Sequence, residues 1–302
     1  MSQRNTLNLA SGDCYASAKA PVATTDMSRL HRLLESDREE VLGFLKMRPV
    51  HTVVMAGFIQ DNGLESPNNR GNFYSYRNAA GKLEGVALIG HATLVEARTE
   101  EALIGFALTA RKSETPIHIM MSDGNSIEIF WQYYSGENQQ PRLVCEELLF
   151  EIKHPVMVRG KVPGLRLATV AELMPVAVAH ARVAFEESGV DPMEKDREGF
   201  LKRVARRIEQ GRVWVVFDGD TLVFKADVIS ETSDVIYLEG IYVSLDRRGQ
   251  GLGANCLSQL SRILLEKVKY VCLLSNVDYS QAHNAYRRAG FKSKDCCVTM
   301  FV

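Results

Sequence analysis

The stretch that decides the fold reads Arg248-Gly249-Gln250-Gly251-Leu252-Gly253. An apolar run typical of a β-strand, Val235 to Val243, precedes it, and a helical pattern, Ala254 to Lys267, follows it. Glycines between a strand and a helix start let backbone N–H groups point outward, and the positive end of the helix dipole favours an anion there. Taken alone, the pattern R-x-x-G-x-G fits an anion site and a plain strand-to-helix turn equally well.

A second signature follows this loop along the chain. Between Ala282 and Phe291 the sequence reads A-H-N-A-Y-R-R-A-G-F. Together the two stretches resemble the GNAT superfamily of acetyl-CoA-dependent N-acetyltransferases. The resemblance covers residues 157–302 and implies an α/β (α+β) class, with a GNAT fold whose mixed central sheet is flanked by helices. The element order expected there, β-α-α-β-β-β-α-β-α-β, is that of a GNAT domain.

The chain of 302 residues is long enough for two domains. We expect a flexible N-terminal tail over residues 1–25, an N-terminal α/β domain over 26–156, and the GNAT domain over 157–302. The first half alternates strand and helix patterns but contains no R-x-x-G-x-G loop, and we interpret it as a second, degenerate GNAT-like unit whose role stays open. Within it, residues 27–48 are predicted as one helix and residues 83–95 as one strand.

The resemblance implies a binding mode for acetyl-CoA, the expected co-substrate. Amides of the glycine loop would hold its diphosphate, and the preceding strand would bond the pantetheine arm through its backbone. Asn276 follows the next strand, where the family often has an Asn that bonds the pantetheine chain, but Tyr279 replaces the second Asn of that pattern. The other expected cofactor-binding residues are Ile241, Tyr242, Val243, Arg248, Gly249, Gln250, Gly251, Leu252, Gly253 and Ala254.

Tyr286 and Glu239 are the candidate catalytic residues. A Tyr on an amphipathic helix is most often a packing residue, but the resemblance implies that the Tyr286 hydroxyl protonates the leaving thiolate. Glu239 interrupts an apolar strand, where an unpaired carboxylate is costly to bury. It is either the general base, or the holder of a base water, or a paired structural carboxylate.

Other charged residues could line an acceptor site. Lys225 and Asp227 lie two apart on one strand, so they share a face, and an ion pair is the simpler interpretation of them. Glu186, Glu187 and Asp191 cluster near the end of a predicted helix. Acids there would attract a cationic amine, although such a run is more commonly a solvated helix end.

The bulk composition excludes several classes of function. Net charge is −1, so charge offers no argument for nucleic acid as a partner. No apolar run approaches the roughly 20 residues that span a bilayer, and the first 25 residues lack the apolar core of a signal peptide. None of the six cysteines forms a C-x-x-C pair, so no metal site is expected. We therefore expect a cytoplasmic protein whose partner is a small-molecule or peptide amine.

These observations favour an acyltransferase that moves an acetyl group from acetyl-CoA to a primary amine. Two alternatives stay open: a catalytically silent acyl-CoA-binding module with a regulatory role, and an aminoacyl or peptidyl transferase of the tandem-GNAT type. The identity of the amine and the oligomeric state are not specified by the sequence.

Overall fold

One continuous sheet of twelve strands runs through the part of the chain that the structure describes. The computed structural model describes residues 25–136, 139–157 and 160–302, so the predicted tail lies outside the described residues except for Thr25. The strands are ordered β1-β2-β3-β4-β5-β12-β6-β11-β10-β9-β8-β7. We call residues 25–157 the first half and residues 160–302 the second half. Where one domain ends and the next begins stays a prediction.

The first half supplies six strands and four α-helices among its described residues. In chain order these are β1 Leu30–Arg32, α1 Arg38–Leu45, α2 Val53–Asn62, β2 Gly71–Arg77, β3 Leu83–Gly90, β4 Ala92–Ala97, α3 Glu100–Ala110, β5 Ile119–Asp123, α4 Gly124–Tyr134 and β6 Leu143–Ile152.

The described residues of the second half supply six strands and five α-helices. In chain order these are β7 Arg166–Leu167, α5 Leu173–Ser188, α6 Pro192–Lys195, α7 Arg197–Glu209, β8 Val213–Asp218, β9 Thr221–Glu231, β10 Val235–Val243, α8 Leu252–Leu264, β11 Tyr270–Asn276, α9 Ser280–Arg288 and β12 Lys292–Phe301.

The two halves repeat one topology. With the short α6 set aside, each reads β-α-α-β-β-β-α-β-α-β, the order predicted for the second half. In each half the first four strands pair antiparallel, and the fourth and fifth pair parallel. The expected α/β class, with a mixed sheet flanked by helices and two units of like topology, is confirmed.

Each half gives its last strand to the other half. Strand β6 of the first half pairs antiparallel with β11 of the second, and β12 of the second pairs antiparallel with β5 of the first. The two exchanged strands also pair with each other from Lys292 to Phe301. Because of this reciprocal exchange, side chains of β6 lie beside the second half's fifth strand.

Two predictions for the first half were wrong. Residues 27–48 are not one helix, because Leu30–Arg32 form the edge strand β1 against β2 and the helix begins only at Arg38. Residues 83–95 are not one strand, because the chain reverses at Gly90 and His91 and forms the β3–β4 hairpin. Apolar residues continue on both sides of this tight reversal, so the sequence pattern predicted one strand where there are two.

Helices pack both halves of the sheet into apolar cores. In the second half, α8 contributes Cys256, Leu257, Leu260 and Leu264 to a core that also contains Phe150 of β6. In the first half, α3 and α4 pack together with Val298 and Met300 of β12. The exchanged strands therefore carry core residues for both halves. No helix among the described residues is both long and apolar enough to cross a membrane.

Candidate active site

A cleft opens between β10 and β11 of the second half. Residues 235–238 of β10 pair with residues 270–273 of β11, and the pairing ends there. Beyond that point β11 stays paired with β6, as far as Asn276 opposite Glu147, while residues 239–243 of β10 remain on β9. The strands therefore diverge, and the backbone of residues 239–243 faces a gap rather than a neighbouring strand on that side.

A bulge in β10 lies at the edge of this cleft. The register against β9 shifts between Glu239 and Tyr242, and Gly240 has φ +59°, in the left-handed region that favours glycine. The buried ammonium of Lys225 donates to the Gly240 carbonyl at 3.1 Å. A Cβ at position 240 would lie 3.0 Å from Lys225 Nζ, so both the backbone angle and the space at this position select glycine.

A buried ionic network packs against the bulge through Lys225. Lys225 Nζ lies 2.8 Å from Asp227 Oδ1, and these side chains are 0% and 1% exposed. Asp227 also contacts His180 at 3.2 Å and Arg207 at 2.9 Å. Burial alone would raise the pKa of Asp227, but the charge of Lys225 and the contacts with His180 and Arg207 hold it below its ordinary value. The ion-pair interpretation of Lys225 and Asp227 is thus confirmed.

The glycine loop ends in a helix start that has no side chain to cap it. Gly251 occupies the N-cap position of α8 with φ +85°, and Gly249 has φ +75°. The amide of Asn255 donates to the Gly251 carbonyl at 3.0 Å. The amides of Leu252, Gly253 and Ala254 precede this bond, so helix geometry gives them no intrahelical acceptor. They form the positive end of a helix dipole, which is suited to bind an anion.

Side chains of the loop fasten it to its surroundings. Arg248 Nε donates to the Val243 carbonyl at 3.1 Å, and its Nη2 lies 3.7 Å from Glu186 Oε2 on α5. Gln250 Nε2 donates to the Asp246 carbonyl at 2.6 Å. A Cβ at Gly253 would lie 3.1 Å from Val243 Cγ2, so glycine allows α8 to pack closely on β10. The predicted loop residues and the end of β10 are therefore brought together.

Three carboxylates from three different elements act on one another in the cleft. They are Glu239 on β10, Glu187 near the end of α5 and Glu147 on β6. Desolvation raises the pKa of Glu239 despite the nearby charges of Arg207 and Lys225. Desolvation and the charge of Glu239 raise the pKa of Glu147 to about 7, although the Thr299 hydroxyl donates to it. Glu187 keeps an exposed surface at the rim, and its pKa is raised by desolvation and by both other carboxylates.

Tyr286 lies against the same cleft. Its side chain is 8% exposed, and its ring meets Phe150 edge-on with 5.4 Å between centroids. Burial, and to a smaller extent the charge of Glu187, raises the pKa of Tyr286 to about 12, while a hydrogen bond with Ser275 on β11 opposes the rise. A phenol with this pKa is protonated at neutral pH, so it can donate a proton.

Asn276 is occupied by local contacts. Its Oδ1 accepts from the Asp278 amide at 2.9 Å, and its side chain also hydrogen-bonds the Cys145 thiol. Its carbonyl faces His283 Nε2 at 2.9 Å. Tyr279, which replaces the second Asn of the family pattern, donates its hydroxyl to the Glu186 carbonyl at 3.3 Å. A pantetheine contact from the Asn276 side chain stays a prediction.

Sequence reasoning missed Glu147, His180 and Arg207. Glu147 reaches the cleft only because β6 is exchanged between the halves, and nothing in its local sequence indicates that exchange. His180 and Arg207 lie on α5 and α7, where they read as ordinary helix residues. A search for partners of the two charges inside β9 would have found them, since Lys225 and Asp227 must be compensated once the strand is buried.

A family model described as "Acetyltransferase (GNAT) domain" matches residues 209–293. The second half of the chain carries a GNAT acetyltransferase domain. The matched range includes β10, the glycine loop, α8, β11 and α9, which form the cleft. The enzyme class expected from the sequence, an N-acetyltransferase, is confirmed. A search of curated proteins found no significant match.

Solved structures share the architecture of most of the chain. A GCN5-related N-acetyltransferase from Sphaerobacter thermophilus is 14% identical, with a TM-score of 0.57 over 90% of this chain and 94% of that one. An acetyltransferase from the GNAT family from Colwellia psychrerythraea is 12% identical, with a TM-score of 0.54 over 90% and 98%. A tandem GNAT protein from the clavulanic acid biosynthesis pathway is 13% identical, with a TM-score of 0.53 over 90% and 97%. At these identities the likeness concerns the fold, and it extends across both halves.

Proposed function

We propose that the GNAT domain transfers an acetyl group from acetyl-CoA to a primary amine bound in the cleft between β10 and β11. The observation that carries this proposal is the start of α8, where Gly251 leaves the first amides of the helix without a side-chain cap beside the diverging strands. A diphosphate is the anion that such a loop of amides fits, and coenzyme A carries one. The loop residues, together with residues 241–243 of β10, would hold this donor.

The acetyl donor supplies a thioester whose carbonyl carbon the amine attacks. Backbone N–H groups of β10 near the Gly240 bulge face the gap and are suited to polarise the carbonyl oxygen. The rigid ionic network of Lys225, Asp227 and His180 keeps that bulge in place. Much of the rate enhancement would come from holding both reactants in this geometry.

Two protons must move during the transfer. The attacking amine has to be neutral and then loses a proton, and Glu239, or a water that it holds, would accept it. A raised pKa makes Glu239 a stronger base than an ordinary carboxylate. When the C–S bond breaks, the thiolate would take its proton from the Tyr286 hydroxyl. A cationic amine bound beside Glu147 and Glu187 would favour their ionised forms, since an opposite charge lowers the pKa that burial has raised in both.

A turnover assay with acetyl-CoA and a panel of primary amines tests this function. We expect release of free coenzyme A with at least one amine, and a titration stoichiometry near one acetyl-CoA per chain. Binding without release for every amine would instead support a silent acyl-CoA-binding module. Transfer from an aminoacyl-tRNA in place of acetyl-CoA would support an aminoacyl or peptidyl transferase.

A further inference from the structure

A cavity of about 410 Å³ lies outside the cleft just described, in the first half. Its lining residues include Arg70, Asn72, His91, Thr115 and His118. These residues come from the start of β2, the β3–β4 turn and the segment before β5, so the cavity sits at one end of the first half's strands.

The backbone around this cavity is tightly constrained. Arg70 has φ +51°, and it is the one non-glycine residue with a positive φ in the part of the chain that the structure describes. Its carbonyl accepts from the His91 amide at 3.0 Å. Gly71 and Gly90 cross so closely that a Cβ on Gly90 would lie 2.4 Å from the Gly71 Cα. Arg70 is the C-cap of the 3-10 turn Pro67–Asn69, so its left-handed backbone fixes the point at which its side chain leaves the chain.

A guanidinium and two imidazole rings lie close together at this position. Arg70 Nη2 lies 3.1 Å from His91 Nδ1, and the rings of His91 and His118 are 4.4 Å apart between centroids. Desolvation, followed by the charges of Arg70, His118, Lys195 and Arg203, lowers the pKa of His91 to about 4. Since the neutral ring accepts from Arg70 at Nδ1, its proton lies on Nε2, which is then a hydrogen-bond donor.

The positive field extends across the seam between the two halves. Lys195 ends α6 and Arg203 lies on α7, both in the second half, yet both act on His91. Besides the hydrogen bond from the Gly199 amide, the charge of Arg70 also helps to lower the pKa of Asp196. The Asp196 carboxylate lies 3.4 Å from the Arg203 guanidinium and accepts from the Gly199 amide at 3.0 Å.

We propose that this cavity binds a phosphate group. Arg70 offers a planar set of donors that matches a phosphate, and His91, Asn72 and Thr115 offer further polar groups around the same space. A dianion would be attracted by the guanidinium of Arg70 and by the charges of Lys195 and Arg203, which reach this position from the second half.

The test is a titration of the full chain with inorganic phosphate, followed through the histidine proton resonances at neutral pH. Chloride keeps the ionic strength constant during the titration. We expect saturable shifts of His91 and His118, together with a rise in the pKa of His91, because a bound dianion favours the charged imidazole. Shifts that grow linearly without saturation would overturn the proposal.

Variants make this test specific. Arg70→Asn removes the guanidinium but keeps a residue type that tolerates the left-handed backbone, and it should weaken phosphate binding about tenfold or more. His118→Gln is a second variant that leaves the strained position untouched, and it should weaken binding as well. The matched control is Lys82→Asn, which removes one positive charge at the opposite end of the β2–β3 hairpin and should leave phosphate binding unchanged. Equal affinities in all three variants would contradict the site.

Discussion

The third helix of the first half and the corresponding helix α8 of the second half begin in opposite ways. The Thr99 side chain caps α3 by accepting from the Ala102 amide at 3.3 Å, and Glu100 and Glu101 occupy the first turn. At the matching position of α8, Gly251 has no side chain to offer. At the start of α3 a backbone amide is bonded by the Thr99 side chain, and acidic residues already supply negative charge. The start of α8 has no such cap, so its amides are available to an external anion.

Two further pairs of matched positions follow the same rule. Taking the first parallel pair of each half as equivalent, Glu96 on β4 and Glu239 on β10 lie at the same distance along their strands. Glu96 is ion-paired with Arg48 at 3.1 Å, and the Ser122 hydroxyl on β5 donates to the Val95 carbonyl on β4 at 2.9 Å. Glu239 instead faces two other carboxylates.

The third pair lies on the helices after the fifth strands. Counted from the helix starts, Phe130 of α4 matches Tyr286 of α9. Phe130 is fully buried in an apolar core, and it has no hydroxyl. One topology therefore carries two sets of residues: the first half has a capped helix, an ion-paired carboxylate and a phenylalanine where the second half has an uncapped helix, a carboxylate that acts on two others and a tyrosine.

The largest expected effect on the transfer rate comes from giving the second half a phenylalanine in place of Tyr286, as the first half has at Phe130. Tyr286→Phe keeps the ring packed on Phe150 but removes the proton donor, so the transfer rate should fall roughly 10²–10⁴-fold while acetyl-CoA affinity stays nearly constant. Single-turnover kinetics checks this. Tyr76→Phe, a hydroxyl deletion in the first half's core, is the matched control. An unchanged rate in Tyr286→Phe would make Tyr286 a packing residue.

A second test concerns the carboxylate that the first half gives to the cleft. The folded-state pKa of Glu147 is about 7, above the ordinary value of 4.5, so its stabilising effect is complete below pH 4.5 and is lost as pH rises through 7. Glu147→Gln removes this loss. The difference in unfolding free energy between the variant and wild type should therefore shift by about 2–3 kcal/mol in favour of the variant as pH rises from 4.5 to 8. This follows from a pKa of about 7 in the folded state against 4.5 in the unfolded state.

Urea unfolding at several pH values measures this effect. Glu146→Gln, the neighbouring change on β6, serves as the control. If Glu147→Gln and wild type had parallel stability curves from pH 4.5 to 8, the cleft would not be perturbing this carboxyl group.

A third test places at the N-cap of α8 the residue type that caps α3, which is threonine. Gly251→Thr places a β-branched side chain at φ +85° and brings a hydroxyl that can cap the free amides. Acetyl-CoA affinity should fall about tenfold or more, or at least about 1.4 kcal/mol. Calorimetry measures it. Gly219→Thr imposes similar strain at φ +58° in the open β8–β9 turn, and it should not affect binding. Equal affinity in both variants would exclude the loop as the binding site.

The smallest effect is expected from the converse change. Thr99→Ala removes the cap of α3 and should cost about 1 kcal/mol of unfolding free energy without changing the number of acetyl-CoA molecules bound. Thermal unfolding and titration check the two parts. A second acetyl-CoA bound between residues 83 and 130, in either protein, would show that the first half is itself a cofactor site.

Local signals made much of the second half predictable. The glycine loop, the Asp-Gly turn between β8 and β9 and the capping position of Thr169 each specify a boundary through backbone chemistry, and the order of elements followed from them. The cofactor-binding and catalytic roles of the individual residues stay predictions.

What sequence could not give depends on contacts between distant segments. The edge strand at Leu30–Arg32 exists because β2 supplies its partners, so a helix-like pattern was misleading there. Glu147 belongs to the cleft only through the pairing of β6 with β11, and Arg48 neutralises Glu96 from 48 residues away. Periodicity and turn residues carry no information on pairings of this kind.

The reciprocal strand exchange has a consequence for biosynthesis. While the ribosome is still making the second half, Asp123 of β5 lacks its neighbour Cys297, because β12 has not yet emerged. The nascent first half therefore has an unfinished sheet edge and cannot complete its core until nearly the whole chain is available. Contacts of such high sequence separation slow folding, and exposed edges invite pairing with other chains. We expect a chain cut at residue 156 to aggregate rather than to fold as an independent unit, in contrast to most two-domain proteins, whose first domain matures during translation.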